Sequence, residues 1–599
     1  MFFAQVLKSR LQLGGKILLI GSGVTATVVT CYTTGNNTNA NSNSSSSLWK
    51  WSDLFNKQQT SETQTETSSL NNSKTEEKIY TRAEVSKHNT TSDLWITYKD
   101  GVYDVTAFQS IHPGGADKLL MAAGGAVDPF WAFYPQHSKD HVQELLQGFR
   151  IGTLDAREAA ATASELNALS DPYVNDPKRH PALRPITQRP YNAETPTILL
   201  TDAALTPQDL LFTRNHLPVP DIKSDEHEIV FELDESAKNV KKLRQKELED
   251  TKKYKRYEVE AALQCAGNRR ANMQSDSPKG RAPRGLEWGV GAIGNGVWSG
   301  VLLRDVLLSI GIKDDDVGKS FKHVTFEGLD GAQAAKTAAD AKKETKNVEE
   351  GNNASNSKPL VAASASFAAA AAEGYATSIP ADVAMDPKRK VLLAFEYNGQ
   401  PLSRDHGYPV RVIVPGSVAA RQVKWLGRVS LSLEECKSSW QKKDYKAFPQ
   451  SMDWDTVKYD SMPSMHDMPV QSAITSPCDG AILPEGQQTV TAKGWAWSGS
   501  GRSITRVDVS SDGGKSWVVA DISHRPIDYS PSQTESYGWT LWEANLPLAS
   551  TKTELVVKAL DSSLNTQPEK SENIWNWRGI ANNAWHRINI SGNKSSNGR

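Results

Sequence analysis

The sequence predicts a multidomain protein with a small α+β domain near the N-terminus, a large mixed α+β domain in the middle and an all-β domain at the C-terminus. The chain has 599 residues, far more than one hydrophobic core organises, so several domains are expected. A hairpin pattern followed by short helical patterns indicates the first domain. Short strands at regular spacing indicate the last one.

The composition narrows the classes of protein that the chain can belong to. Hydrophobic residues make up 38% of the chain and 17 residues are tryptophan, while a net charge of −1 gives no reason to expect a nucleic-acid partner. The cysteines are widely scattered, which fits neither a disulfide framework nor a zinc site with paired cysteines. They are Cys31, Cys265, Cys436 and Cys478. Any cysteine chemistry is therefore expected to use single thiols.

Residues 1–32 have the pattern of a mitochondrial presequence. Lys8, Arg10 and Lys16 precede the first acidic residue, and the apolar stretch 17–32 is too short to span a bilayer comfortably. We expect import and cleavage, and no permanent membrane insertion. A retained membrane anchor is the alternative.

The first folded domain is predicted over residues 79–155, between two linkers. Residues 33–78 are Asn, Ser, Thr and Gln with few apolar residues, a composition that does not fold, and residues 156–176 are rich in Ala and Ser. Inside the domain, the strand patterns 94–98 and 102–105 flank Asp100-Gly101, which is a hairpin signal.

Two histidines of this domain are candidate haem ligands. His112 begins the run His112-Pro113-Gly114-Gly115, and His137 follows after an apolar helix-turn-helix pattern. Two imidazoles placed this way can hold an iron from opposite faces, and a six-coordinate haem passes single electrons because no position is open to substrate. His141 is a second candidate for the distal ligand, and a solvated loop histidine is the alternative interpretation of His137.

Residues 79–155 resemble the cytochrome b5 family in this motif and in the distance to the second histidine. The resemblance implies haem b with His112 and His137 as axial ligands. Residues 76–155 contain eleven acidic and seven basic residues, a surface that suits a basic electron acceptor. In a mitochondrial setting cytochrome c is the expected acceptor.

A long mixed region follows over residues 177–470, with two apparent inserts. Residues 234–260 are dense in Lys, Arg, Glu and Asp, and we expect a solvated surface helix. Residues 331–372 are low in complexity, and we expect a disordered surface loop. Both inserts must point outward if a site is to assemble within this domain.

The segment Gln264-Cys265-Ala266-Gly267-Asn268-Arg269-Arg270 places one thiol beside two guanidinium groups. A lone buried cysteine is usually an inert packing residue. Adjacent cations favour the thiolate, which is the form that binds a soft metal. Cys265 is therefore a candidate metal ligand.

This segment and several others resemble the eukaryotic sulfite oxidase and assimilatory nitrate reductase family, and together they cover most of residues 177–450. The other matching blocks are Phe212-Thr213-Arg214-Asn215-His216, Gly285-Leu286-Glu287-Trp288, Phe326-Glu327-Gly328-Leu329-Asp330, Asn398-Gly399-Gln400-Pro401-Leu402, Arg404-Asp405-His406-Gly407, Pro409-Val410-Arg411-Val412 and Val423-Lys424-Trp425-Leu426-Gly427.

The resemblance implies a mixed α+β molybdopterin-binding domain in which Cys265 is the protein ligand to molybdenum. The residues it implies around the molybdopterin are Phe212, Thr213, Arg214, Asn215, His216, Asp330, His406, Arg411, Gln422, Val423 and Lys424. Those it implies around the substrate are Arg214, Arg270, Trp288, Tyr445 and Arg578, with Cys265, Tyr445, Arg214 and Arg270 as the catalytic set. Converging arginines suit a small dianion, because bidentate charge-assisted bonds neutralise and orient it.

Residues 471–599 are predicted to form an all-β sandwich of the immunoglobulin kind. The strand patterns are 489–491, 504–509, 517–519, 539–542 and 555–559, with a turn at Asp512-Gly513-Gly514. The region resembles the family's dimerisation domain, so a homodimer is expected.

The function implied is oxidation of sulfite to sulfate at molybdenum, with electrons leaving singly through haem to cytochrome c in the mitochondrial intermembrane space. The alternatives are a nitrate-reductase-like enzyme and a non-catalytic haem electron carrier. A haem domain that precedes the molybdenum domain, with no flavin module after it, favours the oxidase, because a reductase needs an electron source.

Overall fold

The computed structural model describes residues 77–112, 116–120, 122–131, 135–167, 173–234, 238–277, 281–331, 374–454, 456–484, 486–527, 535–548 and 552–592. The predicted presequence and almost all of the first linker lie outside these residues, as does the predicted loop 331–372 except for Gly331. From Ile79 onward the chain forms one compact unit. None of the described helices is long and apolar enough to cross a membrane.

The first domain is built on a six-stranded sheet in the order β1-β6-β4-β3-β2, with β5 beside β3. The predicted hairpin is confirmed, since Tyr98 pairs with Gly101 across the turn. Buried residues such as Leu94, Ile96 and Phe130 form its core. The elements are β1 (Ile79–Tyr80), α1 (Arg82–Val85), β2 (Asn89–Thr90), β3 (Asp93–Tyr98), β4 (Gly101–Asp104), α2 (Ala116–Leu120), β5 (Gly125–Ala126), α3 (Asp128–Trp131), a 3-10 turn (Pro135–Ser138), α4 (Asp140–Gln147) and β6 (Arg150–Leu154).

The predicted linker 156–176 begins with a helix, α5 (Ala156–Asn167). Alanine has the highest helix propensity of all residues, so this composition favours a helix once one end is anchored. The anchor is Arg82, whose backbone N–H donates to the carboxylate of Glu158 and whose Nη2 donates to the Glu158 carbonyl at 3.0 Å. The first part of the segment therefore packs on the first domain instead of forming an open connection.

The middle domain contains three sheets, in the orders β7-β8-β9, β11-β10-β19-β14-β15 and β12-β13-β16-β17, with β18 beside β16. Its strands are β7 (Arg184–Gln188), β8 (Tyr191–Glu194), β9 (Thr213–Arg214), β10 (Glu228–Glu232), β11 (Val240–Arg244), β12 (Arg256–Gln264), β13 (Ile293–Leu302), β14 (His323–Gly328), β15 (Ala376–Pro380), β16 (Leu392–Tyr397), β17 (Gln400–Pro401), β18 (Arg411–Ile413) and β19 (Leu426–Ser432). Its helices are α6 (Gln245–Leu248), α7 (Arg270–Asp276), α8 (Leu303–Ser309) and α9 (Ala381–Met385), with a π-helical turn at Trp440–Asp444 and 3-10 turns at Thr197–Leu199, Gln208–Leu210, Asp314–Asp316, Arg404–His406, Ala419–Arg421 and Tyr459–Ser461.

The prediction of a surface helix over residues 234–260 is wrong. The segment contains β11, the short helix α6 and the first half of β12. The two strands belong to different sheets. Leu243, Leu248 and Tyr254 are buried in the core of the domain. These widely spaced apolar residues hold the segment on the sheet while the charged side chains between them face solvent.

The C-terminal domain consists of two sheets, in the orders β20-β22-β26-β25 and β21-β28-β27-β23-β24. Their strands are β20 (Gln471–Ser476), β21 (Ile482–Leu483), β22 (Thr489–Trp497), β23 (Ile504–Ser510), β24 (Val518–Val519), β25 (Asp521–His524), β26 (Thr540–Pro547), β27 (Lys552–Asp561) and β28 (His586–Gly592), with a 3-10 turn at Ser571–Ile574. Each predicted strand pattern overlaps one of these strands. Residues of both sheets, such as Val490 and Val507, share one buried core.

Arg269 joins the middle domain to the C-terminal domain. This residue adopts a left-handed conformation with φ of 62°. Its guanidinium is buried and donates to the carbonyls of Ala584 at 2.7 Å and Trp585 at 3.3 Å. In return, Asn582 Nδ2 donates to the Arg269 carbonyl at 2.9 Å. The turn after Cys265 is thus held by the C-terminal domain.

Candidate active site

Cys265 lies at the end of β12, in the turn that leads to α7. Its backbone N–H donates to the Ala292 carbonyl at 3.0 Å, and the Asn268 N–H donates to the Cys265 carbonyl at the same distance. Asn268 Oδ1 in turn accepts from the Ala292 N–H at 3.0 Å. The thiol is buried and forms no disulfide. The backbone therefore presents one sulfur atom in a fixed position.

The Cys265 side chain lines a cleft with about 680 Å³ of empty space, part of which is open solvent. The cleft is formed by strands and adjoining loops of the three sheets of the middle domain. It is lined by Phe212, Arg214, His216, Leu263, Cys265, Ala266, Asp330, Tyr375, Asp405, His406, Arg411, Ala419, Ala420, Gln422, Val423, Lys424, Trp425 and Tyr445. All the residues predicted around the molybdopterin are among them except Thr213 and Asn215, which are buried behind the wall.

Two cations of the cleft are held by neutral oxygen atoms. Lys424 Nζ donates to the carbonyls of Arg214 at 3.0 Å and Asp405 at 2.8 Å, and to the amide oxygen of Asn215. Arg411 donates to the carbonyls of His406 at 2.8 Å and Gln422 at 3.0 Å. Burial lowers the pKa of Lys424 to about 7 and that of Arg411 to about 9. Such cations gain stability from a bound anion.

The carboxylate of Asp405 is already used by another cation. Arg179 Nε donates to Asp405 Oδ2 at 2.8 Å, and Asn215 Nδ2 donates to Oδ1 at 3.0 Å. Burial acts to raise the pKa of Asp405, but the bonds from Arg179 outweigh it and the pKa is lowered. Within the described residues, Arg411 Nε is a buried donor with no hydrogen-bond partner. The cleft residue Arg411 therefore has a hydrogen-bond donor that no described protein group uses. Such a donor fits a polar, anionic ligand such as a pterin phosphate.

The two histidines of the cleft are neutral. Burial lowers the pKa of His406 to about 4 and that of His216 well below its usual value. His406 Nε2 faces the Phe212 carbonyl at 3.3 Å and Nδ1 faces the Ser403 hydroxyl at 2.7 Å. A carbonyl only accepts, so the proton of His406 is on Nε2 and Nδ1 accepts from Ser403.

Arg270 lies on the other side of Cys265, enclosed by protein. Its Nε donates to the Arg578 carbonyl at 2.9 Å, and Nη1 donates to the Leu286 carbonyl at 2.8 Å. Burial lowers its pKa to about 10, against the opposing influence of Cys265. A Cβ atom on Gly267 would lie 2.6 Å from Arg270 Nη2. The guanidinium is thus fixed next to the thiol and Arg214.

Tyr445 contributes a phenol to the same region. Its hydroxyl lies 3.4 Å from His216 Nε2. Burial raises the pKa of Tyr445, with Arg214 acting in the opposite direction. The phenol therefore keeps its proton at neutral pH and can donate a hydrogen bond to a ligand near Cys265.

Of the residues predicted at the substrate, three are absent from the wall of this cleft: Arg270, Trp288 and Arg578. Trp288 is buried edge-on to Phe212, with ring centroids 6.4 Å apart. Arg578 forms an ion pair with Asp444 at 2.7 Å and lies over the rings of Trp577 and Trp454. The Arg578 backbone, rather than its guanidinium, makes the contact with Arg270.

The sequence interpretation missed seven residues that line the cleft, which are Leu263, Ala266, Tyr375, Asp405, Ala419, Ala420 and Trp425. Asp405 and Trp425 lie in sequence segments that match the family, next to residues that were predicted at the site. Their position beside those residues could have identified them. Tyr375 stacks on His216 with ring centroids 4.6 Å apart. It has no such signal, because it follows the low-complexity stretch.

The candidate haem site lies in the first domain. The rings of His112 and His137 face each other with centroids 6.3 Å apart and an interplanar angle of 13°. His137 is on the 3-10 turn Pro135–Ser138, beside the ring of Trp131 at 4.9 Å. His141 is exposed in the first turn of α4. The facing pair of histidines next to an apolar core fits an iron porphyrin. Residues 113–115 of the motif lie outside the described residues.

Comparisons with known proteins match all three regions. The cytochrome b5-like heme/steroid binding domain matches residues 81–155, the oxidoreductase molybdopterin binding domain matches 216–350 and 348–440, and the Mo-co oxidoreductase dimerisation domain matches 462–593. "Sulfite oxidase, mitochondrial" of Homo sapiens is 44% identical over 518 residues, covering 86% of this chain and 84% of that protein.

Two other relatives differ in coverage. "Sulfite oxidase" of Gallus gallus is 44% identical over 510 residues, covering 85% of this chain and 99% of that protein. "Nitrate reductase [NAD(P)H]" of Hordeum vulgare is 34% identical over 495 residues, covering 80% of this chain but 49% of that protein.

Proposed function

Because this chain belongs to the sulfite oxidase family, we propose that the cleft around Cys265 binds a molybdenum-molybdopterin cofactor and that the chain oxidises sulfite to sulfate there. The observation that carries this proposal is that one buried thiol shares a cleft with the buried Arg411 and the half-buried Lys424. The cofactor supplies the two-electron oxidation, and haem b supplies single-electron transfer.

The chain's own residues hold the cofactor. The Cys265 thiolate is the metal ligand, and its backbone bonds keep the sulfur in place. Arg411 and Lys424 bind the phosphate, because buried cations with only neutral acceptors gain most from an anion. His406, protonated on Nε2 only, and Asp330 line the same cleft and would bind the polar pterin ring.

The substrate site lies between Arg214, Arg270 and Tyr445. The two arginines attract and orient the sulfite dianion, and Tyr445 donates a hydrogen bond to an oxygen near the metal. Arg578 acts from the C-terminal domain, where its carbonyl holds Arg270 at 2.9 Å. Trp288 supports this wall from behind, packed on Phe212.

His112 and His137 would hold the haem, which supplies single-electron transfer to the acceptor. Because both imidazoles would bind the iron, no position would remain open to substrate. The excess of acidic residues in this domain supports cytochrome c as the acceptor. An association rate with cytochrome c that did not fall with rising ionic strength would count against this partner.

The proposed location is the mitochondrial intermembrane space. The human relative is named as mitochondrial, and the basic, acid-poor residues 1–32 support import. Cytochrome c as acceptor supports the intermembrane space. We assign the linkers to residues 33–78 and 156–176, with α5 as part of the second.

The C-terminal domain, residues 471–599, forms the homodimer. The match to a dimerisation domain over residues 462–593 supports this assignment. Two stacked sheets around one core support a sandwich of the immunoglobulin kind.

Metal analysis of the purified chain tests the proposal against its rivals. The expected result is about one molybdenum and one haem iron per chain. Haem without molybdenum would indicate a non-catalytic electron carrier. Nitrate reduction with no sulfite oxidation would indicate the reductase.

A further inference from the structure

Residues 238–256 form a strongly basic surface, which we call the basic hairpin surface. The segment contains nine Lys or Arg residues and three acidic ones, in a chain whose net charge is −1. All nine basic side chains are exposed. They lie on the edge strand β11, the helix α6, the first residue of β12 and the segments just before β11 and between α6 and β12.

Only part of this charge is neutralised by the protein. Glu228 pairs with Lys242 at 3.5 Å and with Arg244 at 3.0 Å, and Glu396 pairs with Arg256. Among the described residues, six lysines of the surface have no carboxylate partner within ion-pair distance. They are Lys238, Lys241, Lys246, Lys252, Lys253 and Lys255. The unpaired charge is thus carried by lysine alone.

The surface is anchored to the core of the middle domain. Leu243, Leu248 and Tyr254 are buried beneath it, so the hairpin is fixed to the core. Its exposed groups are flexible, hydrated ammonium ions, and its aromatic rings are buried or half-buried. Protein interfaces favour arginine and exposed aromatic residues and are depleted in lysine. Clustered lysines instead suit a diffuse layer of phosphate groups.

The Arg256 end of the surface lies far along β12 from Cys265. Arg256 and Cys265 lie at opposite ends of β12, which spans nine residues, or roughly 25–30 Å of extended chain.

We propose that the basic hairpin surface binds anionic phospholipid headgroups and holds the enzyme against a membrane. The attraction acts within a Debye length of the bilayer and involves no inserted helix. Each lysine contributes about fivefold to the affinity for an anionic membrane.

Co-sedimentation of the full-length holoenzyme with vesicles tests this proposal. The vesicles contain phosphatidylcholine alone or phosphatidylcholine with phosphatidylglycerol. The test variant combines Lys241→Gln, Lys246→Gln, Lys252→Gln and Lys253→Gln. The control variant combines Lys388→Gln, Lys437→Gln, Lys515→Gln and Lys570→Gln, which removes the same charge from exposed lysines elsewhere.

The expected result is binding to the anionic vesicles only, weakened by salt and reduced about a hundredfold or more in the test variant. The control variant should bind nearly as well as the wild type, and both variants should oxidise sulfite normally. Equal binding by the two variants would overturn the proposal, as would equal binding to neutral vesicles. Slower haem reduction by sulfite in the test variant, with unchanged vesicle binding, would assign the surface to the acidic haem domain instead.

Discussion

Nε of Arg270 donates a hydrogen bond of 2.9 Å to the backbone carbonyl of Arg578. The first residue begins α7, directly after the turn that carries Cys265, and the second belongs to the C-terminal domain. The orientation of a guanidinium beside the thiol thus depends on a loop of another domain. Arg270 and the loop that contains Arg578 can be changed by separate substitutions.

Replacing Arg270 by glutamine removes one cation from the substrate site. A hydrogen bond to a charged group contributes about 1.5–3 kcal/mol, so KM for sulfite should rise at least about tenfold. Steady-state kinetics measures this change. Arg506→Gln, an exposed arginine of β23, is the control and should leave KM unchanged. An unaltered KM in Arg270→Gln would remove this residue from the substrate site.

Replacing Gly579 by alanine should misplace Arg270 without changing its charge. Gly579 has φ of 58°, and a Cβ there would lie 2.7 Å from Arg270 Cγ. Gly480 has φ of 76° with nothing within 4 Å of its Cβ position. Both alanine variants carry a backbone strain of about 1–2 kcal/mol, but only Gly579→Ala should raise KM. Equal KM values in the two variants would show that Arg270 tolerates the contact.

Lys424 should make the stability of the cofactor-free chain depend on pH. Burial lowers its folded-state pKa to about 7 from 10.5. Between these values the unfolded chain binds more protons than the folded chain, so the free energy of unfolding should increase as pH rises from 7 to 10. Lys424→Met should lack this part of the dependence. Urea denaturation at several pH values measures the free energy of unfolding of both proteins. Identical slopes of this free energy against pH would contradict the lowered pKa of Lys424.

The haem ligands can be distinguished by comparing three histidine variants. His112→Ala and His137→Ala should each lose the six-coordinate haem spectrum, because one axial imidazole is removed. His141→Ala should retain it, since that side chain is exposed on α4. Visible absorption of the purified variants decides the question. A normal spectrum in His137→Ala, with loss in His141→Ala, would reverse the assignment.

Much of the site was predictable from motifs because its residues lie within short continuous segments. Phe212 to His216 and Gln422 to Lys424 are examples, and each segment supplies several residues of the cleft wall. The orientation of individual side chains was not predictable. Asn215 faces Asp405 at 3.0 Å instead of the cleft, and Trp288 turns into the core.

The error over residues 234–260 has a clear physical cause. Charged residues dominate the composition, so the buried side chains of Leu243, Leu248 and Tyr254 are too few and too irregularly spaced to show a period. Tertiary packing on β10 decides the structure of β11. Local charge density indicates exposure correctly but does not indicate the type of element.

Anaerobic titration of the Cys265→Ser variant with sulfite tests the central claim most directly, with the haem absorption as the signal. The haem pocket lies in a different domain, so the variant should show a normal oxidised haem spectrum. In the wild type, sulfite should reduce the haem; in Cys265→Ser it should not, because the metal has lost its protein ligand. Haem reduction by sulfite that persists in Cys265→Ser would contradict the account.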